Sequence, residues 1–475
     1  MANWMPLYVL AFIGSFLAAQ PLSSAESQRQ LNVVFILADD LGWSDLGCYG
    51  SDLHETPHLD RFASQGVRFT NAYAASPVCT PTRASILTGK YPARLHMTIW
   101  REAAAERGQR RMLEPVTLGD LPLQELTLAE RFKQAGYYTA HIGKWHLGTA
   151  KAYPQPHGFD VNIGGTLWGA PQTFFYPFRG DQYFRDWRYV PDLEPGQGGE
   201  YLTDRLTDKA LEIIDRVADQ PFFLNLWYHT VHTPIEGKPD LVTKYQAKLK
   251  VDGVHTNPDY AAMVESLDEN VGRVLAKLEQ KGISERTLVV FFSDNGGFVG
   301  TCKKHPGRPV TSNFPLRSGK GSLYEGGLRV PLIIRSPGIS AATCDTPVFS
   351  CDLYPTLLKM VGLKGDSDHL PDGLDITALL RDVSRGLERR TLFFHYPHYY
   401  PTTSPVSALR SGNWKLLEYF ENRRVELYNL AEDPAERKNL AQDEPELTRR
   451  LLDQLNSWRE NVQAQIPIPN PEWEE

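Results

Sequence analysis

Two oxygen-bearing pairs, Asp39–Asp40 and Asp294–Asn295, each follow directly on an apolar run. All four side chains offer oxygen ligands. Hard oxygen donors select Ca2+ or Mg2+ over softer metals, and there is no Cys/His ligand cluster of the kind that holds zinc. Three carboxylates would balance a divalent ion and leave it able to polarise an anionic substrate. The stretch SPVCTPTRASILTGKYPAR, Ser76 to Arg94, adds a nucleophile. Thr80 reads as an N-cap with Pro81 at the first helical position. Ala84, Ile86 and Leu87 supply an apolar face, and Gly89 with Pro92 ends the helix. Cys79 then lies just outside a helix N-terminus, where unpaired N–H groups and the macrodipole favour an anion. Arg83 follows about one turn later and can return to the same end as a forked donor. This spacing suits a nucleophile beside an anion pocket.

CTPTRASILTG resembles the signature of the type I sulfatases, C-x-P-[S/A]-R followed shortly by T-G, within the alkaline phosphatase superfamily. It departs at Thr82, where Ser or Ala is usual. The resemblance implies that a formylglycine-generating or sulfatase-maturating enzyme converts Cys79 to formylglycine (3-oxoalanine), whose hydrated aldehyde is the nucleophile. It also implies one Ca2+ ion held by Asp39, Asp40, Asp294, Asn295 and the oxygen of residue 79. The segment GKWHLG supplies Lys144 and His146, YHTVHTP supplies His232, and SGKGSLYEGGLRVP supplies Lys320. On this scheme Arg83, Lys144, Lys320 and the metal are cations aimed at the charge on a sulfate ester. Asp294 is the candidate to take the nucleophile's proton. His232, helped by Lys320, protonates the leaving alcohol, and His146 takes the remaining hydroxyl proton as sulfate leaves. His229 reads more readily as a core or supporting histidine.

Buried strands must deliver these groups. Leu31–Ala38, Tyr137–Ile142, Pro221–Tyr228 and Thr287–Ser293 are apolar, β-rich runs, and each is followed at once by candidate residues. In open α/β sheets that edge is where ligands bind. Helical patterns fall between them: Thr127–Ala135 with a capping box of Thr127 and Glu130, Thr203–Val217, Asp259–Lys281 and Asp352–Val361. The expected fold class is α/β, a large mixed, mostly parallel sheet flanked by helices. The resemblance makes this alkaline-phosphatase-like. Beyond about Arg385, short strands at Leu392–Tyr396, Val406–Leu409, Trp414–Phe420 and Arg424–Tyr428 precede a helix at Pro445–Val462. A smaller C-terminal subdomain of antiparallel sheet plus helix is expected, ending in a poorly ordered proline-rich tail. The division is a signal peptide at 1–25, a catalytic domain at 26–384 and this subdomain at 385–475.

The 475 residues carry a net charge of -7, which argues against a nucleic-acid partner. An apolar core from Leu7 to Ala19, followed by small residues, fits a secretory signal rather than a stable membrane span. With no N-x-[ST] sequon, the expectation is a bacterial periplasmic or extracellular protein. Four cysteines besides Cys79 leave their pairing open: Cys48, Cys302, Cys344 and Cys351. Between Phe159 and Tyr189 ten aromatic residues mix with Arg179, Arg185 and Arg188. Aromatic faces stack on sugars and arginines hold anions, so a sulfated carbohydrate or an aryl sulfate is the expected substrate, with an aromatic-packed surface insert as the plainer reading. The segment HYPHYYP, His395 to Pro401, could overhang the pocket. Two rivals stand beside the sulfatase reading. One is a phosphonate or phosphate ester hydrolase of the same superfamily, and the other a catalytically silent sugar-binding protein on this scaffold.

Overall fold

A computed structural model of the chain describes residues 1–2, 30–104, 110–388 and 391–473. The expected leader at 1–25 therefore lies almost wholly outside the described residues. The central sheet contains β1 (Asn32–Ala38), β2 (Val67–Tyr73), β3 (Tyr138–Gly143), β4 (Val161–Ile163), β5 (Phe222–Trp227), β6 (Thr287–Ser293), β7 (Arg329–Arg335), β8 (Ala342–Cys344) and β9 (Val348–Phe349). Its order is β8-β2-β7-β6-β1-β5-β3-β4, with β9 also paired to β2. The four strands read from the sequence, β6, β1, β5 and β3, lie side by side and parallel.

Alternation along β1 explains the layers. Val34 and Ile36 enter one apolar core, and Val33, Phe35 and Leu37 enter the other. The first core is covered by α3 (Leu202–Val217) and α4 (Pro258–Gln280), after α1 (Cys79–Thr88) and α2 (Leu128–Gln134) in the chain. Leu206 and Ile213 of α3 and Leu267 and Val271 of α4 lie in it. The second core holds Ala84 and Ile86 of α1, Leu128 and Phe132 of α2, and Leu357 of α5 (Leu353–Met360). Thr127 and Glu130 form the expected capping box at the start of α2.

Strands β2 and β7 pair antiparallel because β7 alone runs against both of its neighbours, β2 and β6. Neither has a clear signal: β2 mixes Arg68, Thr70 and Asn71 into its run, and β7 contains Pro331. Proline cannot donate to a ladder, and the pairing register shifts between Val330 and Leu332, the flanks of Pro331.

The C-terminal sheet is an antiparallel meander of β10 (Thr391–Tyr396), β11 (Val406–Ser411), β12 (Trp414–Tyr419) and β13 (Val425–Asn429). Its cover is α6 (Pro445–Asn461), through Leu451, Leu455 and Trp458. A buried ionic junction ties this sheet to the main body. Lys415 Nζ lies 2.9 Å from Glu325 Oε1 and 3.0 Å from Glu436 Oε1, and Tyr73 donates to Glu325 Oε2 at 2.7 Å. The proline-rich tail departs from expectation. Ile468–Pro469 pairs with Met112–Leu113, and Asn470 Nδ2 donates to the main-chain oxygen of Arg110 at 2.9 Å. Main-chain bonds to another exposed segment give it order that its composition alone does not signal.

Candidate active site

The carboxyl ends of β1, β3, β5 and β6 converge on one point. Asp39 leaves β1 with its N–H bonded to the Thr230 carbonyl oxygen at 3.0 Å, and Asp40 turns into the left-handed region with φ 60°. Such a conformation in a non-glycine residue is uncommon and clusters at functional sites. Gly143 ends β3 at φ 101°, where a Cβ would collide with the Trp227 carbonyl, and so only glycine fits before Lys144. Lys144 Nζ meets Asp39 Oδ2 at 2.6 Å. From the far side, the loop carrying Lys320 is held by Lys320 N–H on the Gly297 oxygen, 3.0 Å, and Gly321 N–H on the Pro77 oxygen, 2.8 Å.

Helix α1 differs from its sequence reading in three ways. It begins at Cys79 with Val78 as N-cap and no side-chain cap, so Thr80 lies inside the helix and donates to the His146 main-chain oxygen at 2.7 Å. All ten of its residues are buried, leaving no polar face. The hydroxyls find local partners instead: Thr88 donates to the Ala84 oxygen and Ser85 to the Thr82 oxygen. Gly89 does end it, at φ 71°, but Pro92 opens another short helix, Pro92–Leu95, rather than acting only as a stop.

Arg83 also takes a different direction. Its Nε and Nη2 reach Asp294 Oδ2 at 2.9 and 2.8 Å, its Nη1 donates to the Lys144 oxygen at 2.8 Å, and its guanidinium packs on Trp227. Complete burial behind Cys79 turns this fork toward Asp294 rather than the cavity. Asp294 Oδ1 accepts from the Asp40 N–H at 3.2 Å, so both of its oxygens are engaged.

Asp40 sits at the centre. Its Oδ2 contacts Lys320 Nζ at 2.8 Å, and its Oδ1 accepts from Asn295 Nδ2 at 2.7 Å. Burial works against its ionisation, but Lys320 and His232 hold it well below the usual carboxylate range. Burial dominates at Asp39 and pushes it up to about 8, despite Lys144, with the Asp294 and Asp40 charges adding to the rise. Burial likewise pushes the Cys79 thiol up to about 12, against Lys144 and Lys320, so an unmodified thiol here is a poor nucleophile at neutral pH.

The residues present fit a divalent cation. Among the described residues, Asp39 Oδ1 and Asn295 Oδ1 are buried without a hydrogen-bond partner, beside carboxylates that repel one another. Ligand atoms of Asp39, Asp40, Cys79 and His232 all lie within 4.8 Å of one another. With one oxygen on residue 79 the set offered by Asp39, Asp40, Asn295 and Asp294 is all-oxygen, as a hard cation prefers.

Cys79 opens into a cavity of about 250 Å3, lined also by Asp40, His146, His232 and Lys320. Lys320 Nζ lies 2.9 Å from His232 Nε2, while His232 Nδ1 contacts the Thr233 carbonyl oxygen at 2.8 Å. Since a carbonyl only accepts, the hydrogen is on Nδ1, and Nε2 accepts from Lys320. His229 is buried and does not line the cavity. Of the three arginines in the aromatic insert, Arg188 reaches the cavity wall, stacked 3.8 Å from the Phe184 ring centre. Tyr400 of the HYPHYYP segment is among the lining residues. Sequence reasoning missed Trp100 and Glu102, which also line it. They stand in no motif, and only the aromatic type of Trp100 could have drawn attention.

Fold and site together define a hydrolase of the alkaline-phosphatase type, and comparison with known proteins identifies its family. Residues 31–363 match the Sulfatase family model, and residues 319–461 match that of the N-sulphoglucosamine sulphohydrolase C-terminal region. The chain belongs to the sulfatase family and is a sulfuric ester hydrolase. A sulfatase of Formosa agariphila is 33% identical, over 96% of this chain and 94% of that protein. The steryl-sulfatase of Mus musculus is 30% identical over 96% and 85%, and the N-acetylgalactosamine-6-sulfatase of Canis lupus familiaris 34% identical over 83% and 72%. Among solved structures, Ps i-CgsB in complex with k-i-k-neocarrahexaose superposes with a TM-score of 0.75 at 27% identity, over 90% of this chain and 93% of that one.

Proposed function

We propose that this chain is an exported sulfatase that removes sulfate from a sulfated carbohydrate, with residue 79 as formylglycine and a calcium ion as cofactor. One observation carries the reading: Cys79 opens into a cavity whose polar lining includes Lys320, His232 and His146 and whose walls are aromatic at Trp100, Phe184 and Tyr400. Stacking on these rings suits a sugar. The relatives named for N-acetylgalactosamine-6-sulfate and the structure holding a neocarrahexaose support the same substrate class. The apolar leader supports export.

Asp39, Asp40, Asp294 and Asn295 would hold the calcium ion. Converted residue 79 would supply a hydrated aldehyde as nucleophile, and an ion held by these residues would supply charge to polarise an anionic substrate. Lys144 holds Asp39, and Arg83 holds Asp294, each in one orientation. With Arg83 engaging its carboxylate, Asp294 serves better as a ligand than as a proton acceptor. Lys320 Nζ and His232 Nε2 share a hydrogen bond facing the cavity, so the leaving oxygen draws its proton from this pair. His146 takes the hydroxyl proton of residue 79 as sulfate departs.

The test compares turnover of aryl sulfates, sulfated oligosaccharides, aryl phosphates and aryl phosphonates, together with mass spectrometry of the Cys79 peptide from the native host. Faster turnover of sulfated oligosaccharide than of any phosphorus ester, with sulfur replaced by oxygen at residue 79, is expected. Preference for phosphorus esters, or a wholly unmodified thiol in an inert protein, would overturn the reading.

A further inference from the structure

Glu102 enters the site from a segment with no motif. It lies on the short helix Arg101–Ala104, tethered by Arg101 Nη1 to Asp120 Oδ1 at 3.4 Å, and its carboxylate lines the cavity beside His146. Glu102 Oε2 is 3.5 Å from His146 Nε2. Among the described residues, Oε2 and both imidazole nitrogens are buried with no hydrogen-bond partner, so the 3.5 Å approach of Oε2 to Nε2 is an ion-pair contact that has not yet closed to a hydrogen bond. Buried polar atoms left in this state are rare, and here Oε2 and Nε2 face each other.

The ring has little freedom to turn away. Its main chain is pinned on both sides, by the His146 N–H on the Thr166 oxygen at 3.0 Å and by Thr80 Oγ1 on the His146 oxygen. The backbone at His146 is itself left-handed, φ 59°. Gly169 lies against the ring: a Cβ there would stand 2.5 Å from Nε2. On the carboxylate side, burial disfavours the charge, but His146 and then Arg188 hold Glu102 ionised, down to about 2. An ionised carboxylate can only accept, so a hydrogen shared with it must sit on the imidazole.

We propose that Glu102 is a positioning residue that locks His146 in the tautomer with its hydrogen on Nε2, leaving Nδ1 as the base. A neutral imidazole carries one hydrogen, so holding it on Nε2 presents the lone pair of Nδ1. Nδ1 then takes the hydroxyl proton of residue 79. The O–H bond breaks and its electron pair forms the aldehyde C=O, the bond from that carbon to the sulfate oxygen breaks with its pair leaving on sulfate, and Glu102 faces the imidazolium that results. An orienting carboxylate behind a catalytic histidine works by this same logic in hydrolytic triads. The inference rests on the reading of His146 as the base that releases sulfate.

Two measurements test it. Steady-state kinetics of Glu102→Ala and Glu102→Gln on one sulfate ester should separate orientation from substrate binding. Alanine should lower kcat about 10- to 100-fold with KM unchanged within about twofold. Glutamine, whose amide oxygen still accepts from Nε2–H, should recover most of the loss. A raised KM with wild-type kcat would make Glu102 a substrate contact and overturn the proposal, as would wild-type kinetics in the alanine variant. Independently of activity, histidine 15N spectra of the Cys79→Ala protein, assigned by His146 replacement, should show hydrogen on Nε2 and lose that preference when Glu102→Ala is added. Hydrogen on Nδ1 in the parent would also overturn it. If the wild-type enzyme turns over no sulfate ester, the sulfatase reading fails, and the spectra alone decide the tautomer.

Discussion

Arg83 and Asp294 stand 211 positions apart and meet through two contacts of 2.9 and 2.8 Å to a single carboxylate oxygen, with both side chains fully buried. The pair joins the helix that carries Cys79 to the strand that ends in the second oxygen-bearing pair. Removing one partner of a buried ion pair leaves the other charge without compensation, at a cost of about 3–5 kcal/mol. Arg83→Ala is therefore expected to lose stability of that order in urea unfolding, and Arg83→Lys to keep part of it without the fork. A loss below about 1 kcal/mol in the alanine variant would show that the pair is not structural.

Calcium should stabilise the fold as well as serve the chemistry. Among the described residues, Asp39 Oδ1 and Asn295 Oδ1 are buried without a hydrogen-bond partner, and Arg83 Nη2 stands 3.8 Å from Asp39 Oδ1. Ca2+ at about a hundredfold above its Kd should add about 2.7 kcal/mol to unfolding, reversed by chelator. Asn295→Ala should weaken that response. A melting curve indifferent to Ca2+, Mg2+ and chelator would remove the metal from the proposed site.

Lys320 bridges the centre, with Nζ 2.8 Å from Asp40 and 2.9 Å from His232. Against the desolvation that favours the neutral amine, the Asp40 charge holds its pKa well above the usual lysine value, so it stays charged throughout the working range. Lys320→Met should lower kcat by about 10²–10³, the usual loss when a preorganised donor is removed. Near-normal kcat in a folded, metal-loaded variant would assign that role elsewhere.

Gly169 supplies space. Any Cβ there meets the His146 ring, so Gly169→Ala should displace the imidazole and reduce kcat while the melting temperature moves little. Equal damage to both quantities would point to a general packing defect.

A second buried cluster gives a pH prediction away from the chemistry. His255 contacts Asp52 Oδ1 at 2.6 Å through Nδ1 and Asp45 Oδ1 at 3.2 Å through Nε2. Burial lowers its pKa, but the hydrogen bonds and charges of Asp45 and Asp52 outweigh this and bring it up to about 9. Because the folded value exceeds the unfolded one of about 6.5, the stabilisation is complete below about pH 6.5 and fades as pH rises through about 9. Its size is on the order of 2–3 kcal/mol. Denaturation measured from pH 6 to 10 should show this decline, and His255→Gln should flatten it.

The carbohydrate reading leads to a charge test on the wall of the cavity. Arg188 lines the wall with its guanidinium stacked on Phe184. Arg188→Ala should raise KM for a sulfated oligosaccharide more than for a small aryl sulfate, since a small aryl group has less substrate to hold there. Equal effects on both substrates would assign Arg188 to the local packing alone.

What the sequence determined by itself is local. An apolar run followed directly by Asp39–Asp40 or Asp294–Asn295 marks a strand end, and strand ends in a parallel sheet share an edge. β1 and β6 are legible for this reason, β3 and β5 from their own apolar, β-rich runs, and α2 from the Thr127–Glu130 capping pattern. The motif around Cys79 carried the family, since C-x-P-x-R places its groups within about one helical turn. Tertiary structure decided what depends on distant partners. Arg83 points at Asp294 because a buried cation moves toward the nearest buried carboxylate, and nothing within the helix specifies that direction. Strands β2 and β7, with polar residues and Pro331 in their runs, are held by their neighbours in the sheet rather than by their own pattern. Glu102 reaches His146 only because an unremarkable turn is folded over the cavity, and a lone carboxylate in a sequence carries no sign of the ring it will face.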